Sequence, residues 1–310
     1  MLIHIGWRWI FIIEGLLTII IAISFKFIVV DWPETATFLT ETERALLLKR
    51  LALDVGEARM DVLNRRSAKR IFTDWKIWCG VLMYMGVVNT GYATSFFIPT
   101  IIEEMGYTAT MSQVRSIPIF IVAAVAALIV AWMTDRMKHR YAFTIAGVVV
   151  GGIGYVVLLW QENVSVGVRY MACFFITTGG YMTQPVTWVW LNNVCLFPRI
   201  FPSSTSNIIQ NMGGHYKRAI ATALQIGLGN AGGIVASNVF ITKQAPRYKT
   251  GYGTSLAMLL MCGVMCTVFY VGLKRENRKR DSGGRDYRFH KEREELENMG
   301  DDHPGFRFTT

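Results

Sequence analysis

The chain alternates between long apolar stretches and shorter polar ones. Seven stretches are apolar over about 20 residues, the length at which an α-helix crosses a hydrocarbon core of ~30 Å. They are residues 10–30, 77–102, 117–133, 141–160, 168–191, 219–241 and 253–273. This pattern predicts an all-α integral membrane protein with seven transmembrane helices in the lipid bilayer.

Arginine and lysine are distributed unevenly among the connecting segments. They are frequent between the first two spans, in the turn after the third span and after the last span, and sparse elsewhere. The positive-inside rule therefore places those three segments and the C-terminus in the cytoplasm, with the N-terminus outside. The loop between the last two spans, with Lys243, Arg247 and Lys249, fits this orientation less well.

Composition supports a membrane protein and excludes several other classes. The chain is 52% hydrophobic and 17% charged, against about 25% charged in ordinary soluble domains. Its net charge of +10 does not indicate nucleic-acid binding, because the basic residues lie between apolar runs. The five cysteines form no CxxC pair and no zinc-type spacing. No nucleotide loop, HExxH or nucleophile elbow occurs, so we predict no enzyme, cofactor or metal site.

Residues 31–76, between the first two spans, form a predicted cytoplasmic linker. Its stretch FLTETERALLLKRLALD begins a short amphipathic helix, with Thr40 as N-cap and Glu43 three residues later. Residues 274–310 form a predicted cytoplasmic tail. The tail is charged and contains glycine, so we expect disorder at its end.

Polar side chains inside the spans are the candidate functional residues, because they are costly to place in lipid. The candidates for a substrate cavity are Asn89, Tyr92, Tyr181, Gln184, Gln225 and Asn230. The alternative is that these residues only form hydrogen bonds between helices. Pro185 should interrupt the hydrogen-bond ladder of its helix. Spaced glycines such as Gly147 and Gly151, or Gly229 and Gly233, predict close helix packing.

The turn TDRMKHR follows the third span. Its residues Asp135, Arg136 and Arg140 are similar in spacing to the cytoplasmic loop motif of major facilitator transporters. The leading glycine of that motif is missing here, and His139 interrupts the basic run. The alternative is an ordinary positively charged turn.

Several longer stretches together resemble the fungal allantoate permease family, the anion:cation symporter branch of the major facilitator superfamily. They are GWRWIFIIEGLLT, DWPETATFLTETERALLLKRL, GHYKRAIATALQIGLGNAGGIVASNVF, APRYKTGYG and LKRENRKRD with GDDHPGFRFT. The resemblance implies a fold of twelve spans in two halves. It also implies proton-coupled uptake of a small organic anion or vitamin by alternating access in the plasma membrane.

The chain departs from that family at its beginning. Residues 1–30 match the sixth span, the last of a truncated N-terminal half, and residues 77–273 match the six spans of the C-terminal half. A substrate site between two halves could not form without the first five spans, so we expect the chain as encoded to be inactive. The alternatives are a seven-span receptor-like protein and a half-transporter that needs a partner chain.

A second departure is an insertion of 17 residues at 194–210, rich in proline, serine and threonine. Without it, the flanking sequences join as WLNNNMGGHYKRA, which is similar to the family pattern. We hypothesise a retained intron that is translated in frame. The alternative is a genuine insertion in a cytoplasmic loop.

Overall fold

The computed structural model describes residues 6–29, 36, 38–55, 65–137, 139–192, 215–245, 247–290, 292, 295–296 and 299–308. These residues form α-helices joined by turns and short 3-10 segments, with no strand among them. The helices are α1 (Gly6–Ile28), α2 (Glu41–Val55), α3 (Arg65–Phe72), α4 (Trp75–Glu103), α5 (Ala109–Met137), α6 (Arg140–Leu159), α7 (Val166–Asn192), α8 (His215–Gly229), α9 (Ala231–Val239) and α10 (Lys249–Asp281). The predicted all-α class is confirmed. The proposed insertion at 194–210 lies outside the described residues, as does Lys138.

The chain divides into two compact units, residues 1–56 and 57–310. In the first unit, α1 contains the apolar stretch Phe11–Ile28, which corresponds to the first predicted span. The Thr40 N–H donates to Glu43 Oε2 at 3.1 Å, and the Glu43 N–H donates to Thr40 Oγ1 at 3.4 Å. This reciprocal pair is a capping box. The predicted start of α2 is therefore confirmed.

In the second unit, α4 is the central helix and packs against α5, α7, α8, α9 and α10. The helix α6 packs against α7 and α10. Buried side chains of α4, α7 and α10 meet in the core, among them Met83, Trp190 and Phe269. The Trp190 and Phe269 rings meet edge to face, with centroids 5.2 Å apart.

Glycines set the closest approach between helices of this unit. A Cβ atom on Gly147 would lie 2.9 Å from the carbonyl oxygen of Gly179, and one on Gly151 would lie 2.9 Å from the Leu259 side chain. A Cβ atom on Gly233 would lie 2.6 Å from the ring of Tyr92. Small residues allow this contact where lipid offers no hydrophobic driving force. The predicted close packing at both glycine pairs is thus confirmed.

Within the described residues, six helical stretches are long and apolar enough to cross a membrane: Phe11–Ile28, Trp75–Glu103, Ala109–Met137, Arg140–Leu159, Lys217–Val239 and Lys249–Asp281. The seventh predicted span, 168–191, corresponds to α7, which is outside this set although its 27 residues are long enough. Its apolar character is reduced by Thr177, Thr178, Thr183, Gln184 and Thr187. The threonine hydroxyls of this set can donate hydrogen bonds to carbonyls of their own helix, as the Thr187 hydroxyl does to the Thr183 carbonyl at 3.1 Å.

Two predicted spans have irregular positions near their centres, and only one of the two is divided. The predicted span 219–241 is divided into α8 and α9 at Asn230, where the Gly233 N–H donates to the Asn230 carbonyl at 2.9 Å. The helix α7, in contrast, continues through Pro185. Proline lacks an N–H, so the hydrogen-bond ladder loses one bond there, but proline keeps a helical φ and the helix is not broken.

The tail contradicts the expectation of disorder. The helix α10 runs eight residues past the predicted end at 273 and stops at Asp281, followed by Gly283 in a left-handed conformation (φ 75°). Glycine tolerates that conformation, which commonly ends helices. Residues 299–308 then fold back, with Met299, Asp301, His303 and Phe308 buried. The prediction of a disordered end is wrong for these residues, because the tail has specific partners on α4, α8 and α10.

Candidate functional site

The centre of α4 carries two of the predicted cavity residues. Asn89 is fully buried and its Nδ2 donates to the Gly232 carbonyl of α9 at 3.2 Å. Its Oδ1 has no hydrogen-bond partner in the part of the chain that is described. Tyr92, one turn later, is 39% exposed and its ring lies against Gly233. Asn89 thus joins two helices, whereas Tyr92 presents a polar ring at the surface of the unit.

The remaining predicted cavity residues lie on α7, α8 and the turn before α9. Gln184 Oε1 lies 3.7 Å from the position that a Cβ on Gly91 would take, so Gln184 is next to the centre of α4. Tyr181 packs edge-on against Phe120 of α5, with centroids 6.2 Å apart. Gln184 therefore lies next to Gly91, on the same part of α4 that carries Asn89 and Tyr92, and those two residues contact α9.

The other two polar candidates have different surroundings. Gln225 is buried and its Nε2 donates to the Thr187 carbonyl of α7 over a long 3.4 Å. This contact is the interhelical bond that the alternative interpretation of these residues describes. Asn230 is exposed at the junction of α8 and α9.

A group of buried hydroxyls lies between α4, α6 and α10. Thr90, Tyr155 and Ser255 are almost completely buried, and the Tyr155 hydroxyl lies beside the other two. No hydrogen bond of standard geometry reaches any of the three hydroxyls within the described ranges. Sequence analysis missed Tyr155 and Ser255, because each is a single polar group inside an otherwise apolar run.

The turn after α5 places its three predicted residues differently. Asp135 and Arg136 are exposed, and the Arg136 guanidinium lies 5.6 Å from the Trp132 ring centre. Arg140 is half-buried, and its Nη1 donates to the Val189 carbonyl in the last turn of α7 at 3.1 Å. A cation at a helix C-terminus satisfies carbonyls that have no partner within the helix. Arg140 thereby connects the start of α6 to the end of α7.

A network of four buried charges lies at the same end of the unit. Asp74 caps α4 by accepting from the Lys76 N–H at 3.0 Å. The ammonium of Lys76 lies 3.0 Å from Asp74 and 2.7 Å from Asp301 of the tail. Lys217 of α8 pairs with Asp74 and lies 2.6 Å from Asp301. The side chains of Lys217 and Asp301 are 1% and 0% exposed.

The charges of this network balance, and this keeps Asp301 ionised. Burial alone would raise the pKa of Asp301, but the ammonium groups of Lys217 and Lys76 outweigh it and hold the pKa below its ordinary value. Two cations and two anions thus connect α4, α8 and the tail. Buried charges of this kind are tolerated only when they are paired and hydrogen-bonded.

Further contacts attach the tail to α10. Arg280 Nη1 donates to the carbonyls of Asp301 at 3.0 Å and Phe306 at 2.9 Å. Asn277 exchanges two hydrogen bonds with the backbone of Phe308, at 2.8 and 2.9 Å. Sequence analysis missed these contacts because the tail has no helical or strand periodicity. The signal that was available is the resemblance itself, which includes GDDHPGFRFT and the Lys217 stretch GHYKR.

Comparison with known proteins adds to this geometry. A sequence profile of the Major Facilitator Superfamily matches residues 1–214. An uncharacterized transporter of Schizosaccharomyces pombe is 30% identical over 89% of this chain and 51% of its own length. A major facilitator-type transporter of Emericella nidulans is 29% identical over 89% of the chain and 52% of its own. The high-affinity nicotinic acid transporter of Saccharomyces cerevisiae is 25% identical over 88% of this chain and 48% of its own length.

Proposed function

Since the chain belongs to the Major Facilitator Superfamily, we propose that it forms the C-terminal portion of a secondary-active transporter. Helices α4 to α10 would supply the six-span half, and α1 the span before it. Family membership removes the seven-span receptor alternative. The chain spans about half the length of the curated relatives it matches, so transport by the whole protein is part of this proposal.

A small organic anion or vitamin is the substrate class that we propose, taken up with a proton by alternating access. Two observations support it. The motifs of the chain resemble the allantoate permease branch, and a nicotinic acid transporter is among the relatives. Proton coupling and a plasma-membrane location rest on the resemblance.

The observation that carries this proposal is the exposed polar surface at the centre of α4 and α7. Tyr92 and Gln184 are partly exposed; Tyr92 is on the same helix as the buried Asn89, and Gln184 lies next to Gly91 of that helix. An amide side chain facing lipid at that depth is costly, so such residues usually face a protein interior or a water-filled cavity. We therefore assign Tyr92 and Gln184 to the wall of the substrate pathway, with Asn89 as the group that positions α9 against α4.

Cysteine labelling tests this assignment. Gln184→Cys should react with a membrane-impermeant thiol reagent in a background lacking Cys195, because a pathway is open to water. Leu128→Cys on α5, whose native side chain is 72% exposed, is the control for a lipid-facing position and should react only with a permeant maleimide. Equal rates for the two variants with the impermeant reagent would overturn the assignment.

A half-transporter that assembles with a partner chain remains a second candidate, since the second unit contains five of the described stretches that could cross a membrane, together with α7. It predicts a defined heteromeric complex after mild solubilisation. Recovery of the chain only as aggregate or degradation product from the same membranes would exclude it.

A further inference from the structure

A cavity of about 240 Å³ lies between α3, the start of α4, the end of α10 and the tail. Its cationic lining residues are Arg70, Lys76, Arg280, Arg285 and Arg288. The tail supplies Arg285 and Arg288, so the cavity exists only when the tail is docked. Nothing in the transport proposal uses this cavity.

The acidic residues of the lining leave a positive surplus. They are Asp74, Glu276 and Asp302, three carboxylates against five cations. Neighbouring groups outside the wall add Lys217, Asp301 and Glu295, which pair with lining residues. The extended count is six cations against five carboxylates. The lining residues of the cavity therefore have a net charge of about +2, and this falls to about +1 when the three neighbouring groups are included.

The cations form a deep part and an entrance. Lys76 and Arg280 are buried, whereas the side chains of Arg70, Arg285 and Arg288 are partly exposed. An anion that enters from solvent therefore meets three guanidinium groups first. The exposed ring of Trp75 lies in the same wall. Tryptophan is typical of the membrane–water interface, so an entrance beside Trp75 fits the depth of lipid headgroups.

The arginines keep donors for a guest. Arg285 donates to Glu276 through Nε and Nη2 at 2.8 Å, and Arg288 donates through Nη1 to the carbonyl and carboxylate of Asp302 and through Nε to the Tyr287 hydroxyl. These contacts use part of the five N–H donors of each guanidinium. The fork of an arginine matches a phosphate group in two parallel hydrogen bonds. A phosphate monoester carries about −1.5 to −2 charges at pH 7, which fits the surplus.

We propose that this cavity binds a phosphate group, as inorganic phosphate or as the headgroup of an anionic phospholipid. Bound phosphate would bridge α3 and the tail through Arg70 and Arg288 and so hold the tail in its docked position. The docked position of the tail at the end of α10 would then depend on the phosphate or anionic lipid present at the cytoplasmic face.

Hydrogen exchange of the tail tests the proposal, with the complete chain in nanodiscs. In one arm, nanodiscs of phosphatidylcholine alone are titrated with inorganic phosphate at constant ionic strength. In the other arm, phosphatidic acid replaces part of the phosphatidylcholine and no phosphate is added. Slower exchange of peptides covering 299–308 in the first arm identifies free phosphate as the ligand, and in the second arm a lipid headgroup.

Three variants locate the effect. Arg70→Gln on α3 and Arg288→Gln in the tail should each weaken the response about tenfold or more, the loss of one charge-assisted contact. Arg307→Gln is the matched control, since Arg307 pairs with Asp281 and does not line the cavity. Exchange of α6–α7 peptides verifies that each variant is folded. No response in either arm, or an equal loss in Arg307→Gln, would overturn the proposal.

Discussion

Asp301 is the residue on which docking of the tail depends most. Substituting Asp301→Asn keeps the shape of the side chain but removes one of the two carboxylates that face Lys76 and Lys217. Lys217 is then left with Asp74 alone, at a position with almost no access to water. The neighbouring Asp302→Asn is a matched control, because Asp302 is partly exposed and lies 3.3 Å from Arg288.

The two substitutions differ in cost. Removing one partner of a buried ion pair costs about 3–5 kcal/mol, because the remaining charge stays buried without compensation. A solvent-exposed pair contributes about 0–1 kcal/mol. Asp301→Asn should therefore shift the docking equilibrium of the tail by about 100-fold or more, and Asp302→Asn by less than about tenfold.

Hydrogen exchange of peptides covering 299–308, measured in detergent micelles, reports this opening equilibrium. We expect protection to be lost in Asp301→Asn while peptides of α6 and α7 stay protected. Adding Lys217→Met should restore part of the protection, because Lys76 and Asp74 then balance each other. Equal protection in Asp301→Asn and Asp302→Asn would refute the role of the buried network.

Two further predictions concern pH and packing. Because the folded pKa of Asp301 lies below its ordinary value of about 4, its contribution is fully present above that value and is lost as pH falls through the folded pKa. Protection of 299–308 should thus be constant from pH 7 to 5 and weaken only below about pH 4; a loss between pH 7 and 5 would contradict this. Gly179→Ala should destabilise the unit by about 1–3 kcal/mol in a thermal melt, because the new Cβ would lie 2.6 Å from the Gly147 carbonyl. Gly253→Ala has open space around it and should be neutral or stabilising, so a similar loss in both would refute the packing argument.

Most of the helical architecture could be predicted from the sequence, because long apolar runs reflect the thickness of the bilayer. The helix ends could not. The helix α5 begins at Ala109, eight residues before the predicted start at 117. Its first turns are polar but satisfied: the Thr108 hydroxyl accepts from the Met111 N–H at 3.3 Å, and the Ser112 hydroxyl donates to the Thr108 carbonyl at 3.0 Å. Hydropathy does not detect such local hydrogen bonds.

The candidate site was predicted only in part. Asn89, Tyr92 and Gln184 were identified as costly polar groups and do lie around the centre of α4. The network of Asp74, Lys76, Lys217 and Asp301 was not predicted, because its members are far apart along the chain. In their local sequence, Asp74 and Lys76 resemble the positively charged start of a helix. Asp301 resembles a residue of a solvent-exposed tail. Only the folded arrangement brings them together.

Uptake by a permease-deficient yeast tests the central claim most directly. Radiolabelled small organic anions, nicotinate among them, are offered at external pH 5 and 7.5 to cells that express this chain alone, or joined behind the first five spans of the S. pombe relative. We expect no uptake above empty vector for the chain alone. We expect faster uptake at pH 5 for the joined protein, and its loss in Gln184→Ala. Uptake by the chain alone would contradict the account, as would a joined protein that reaches the cell surface and transports no small organic anion.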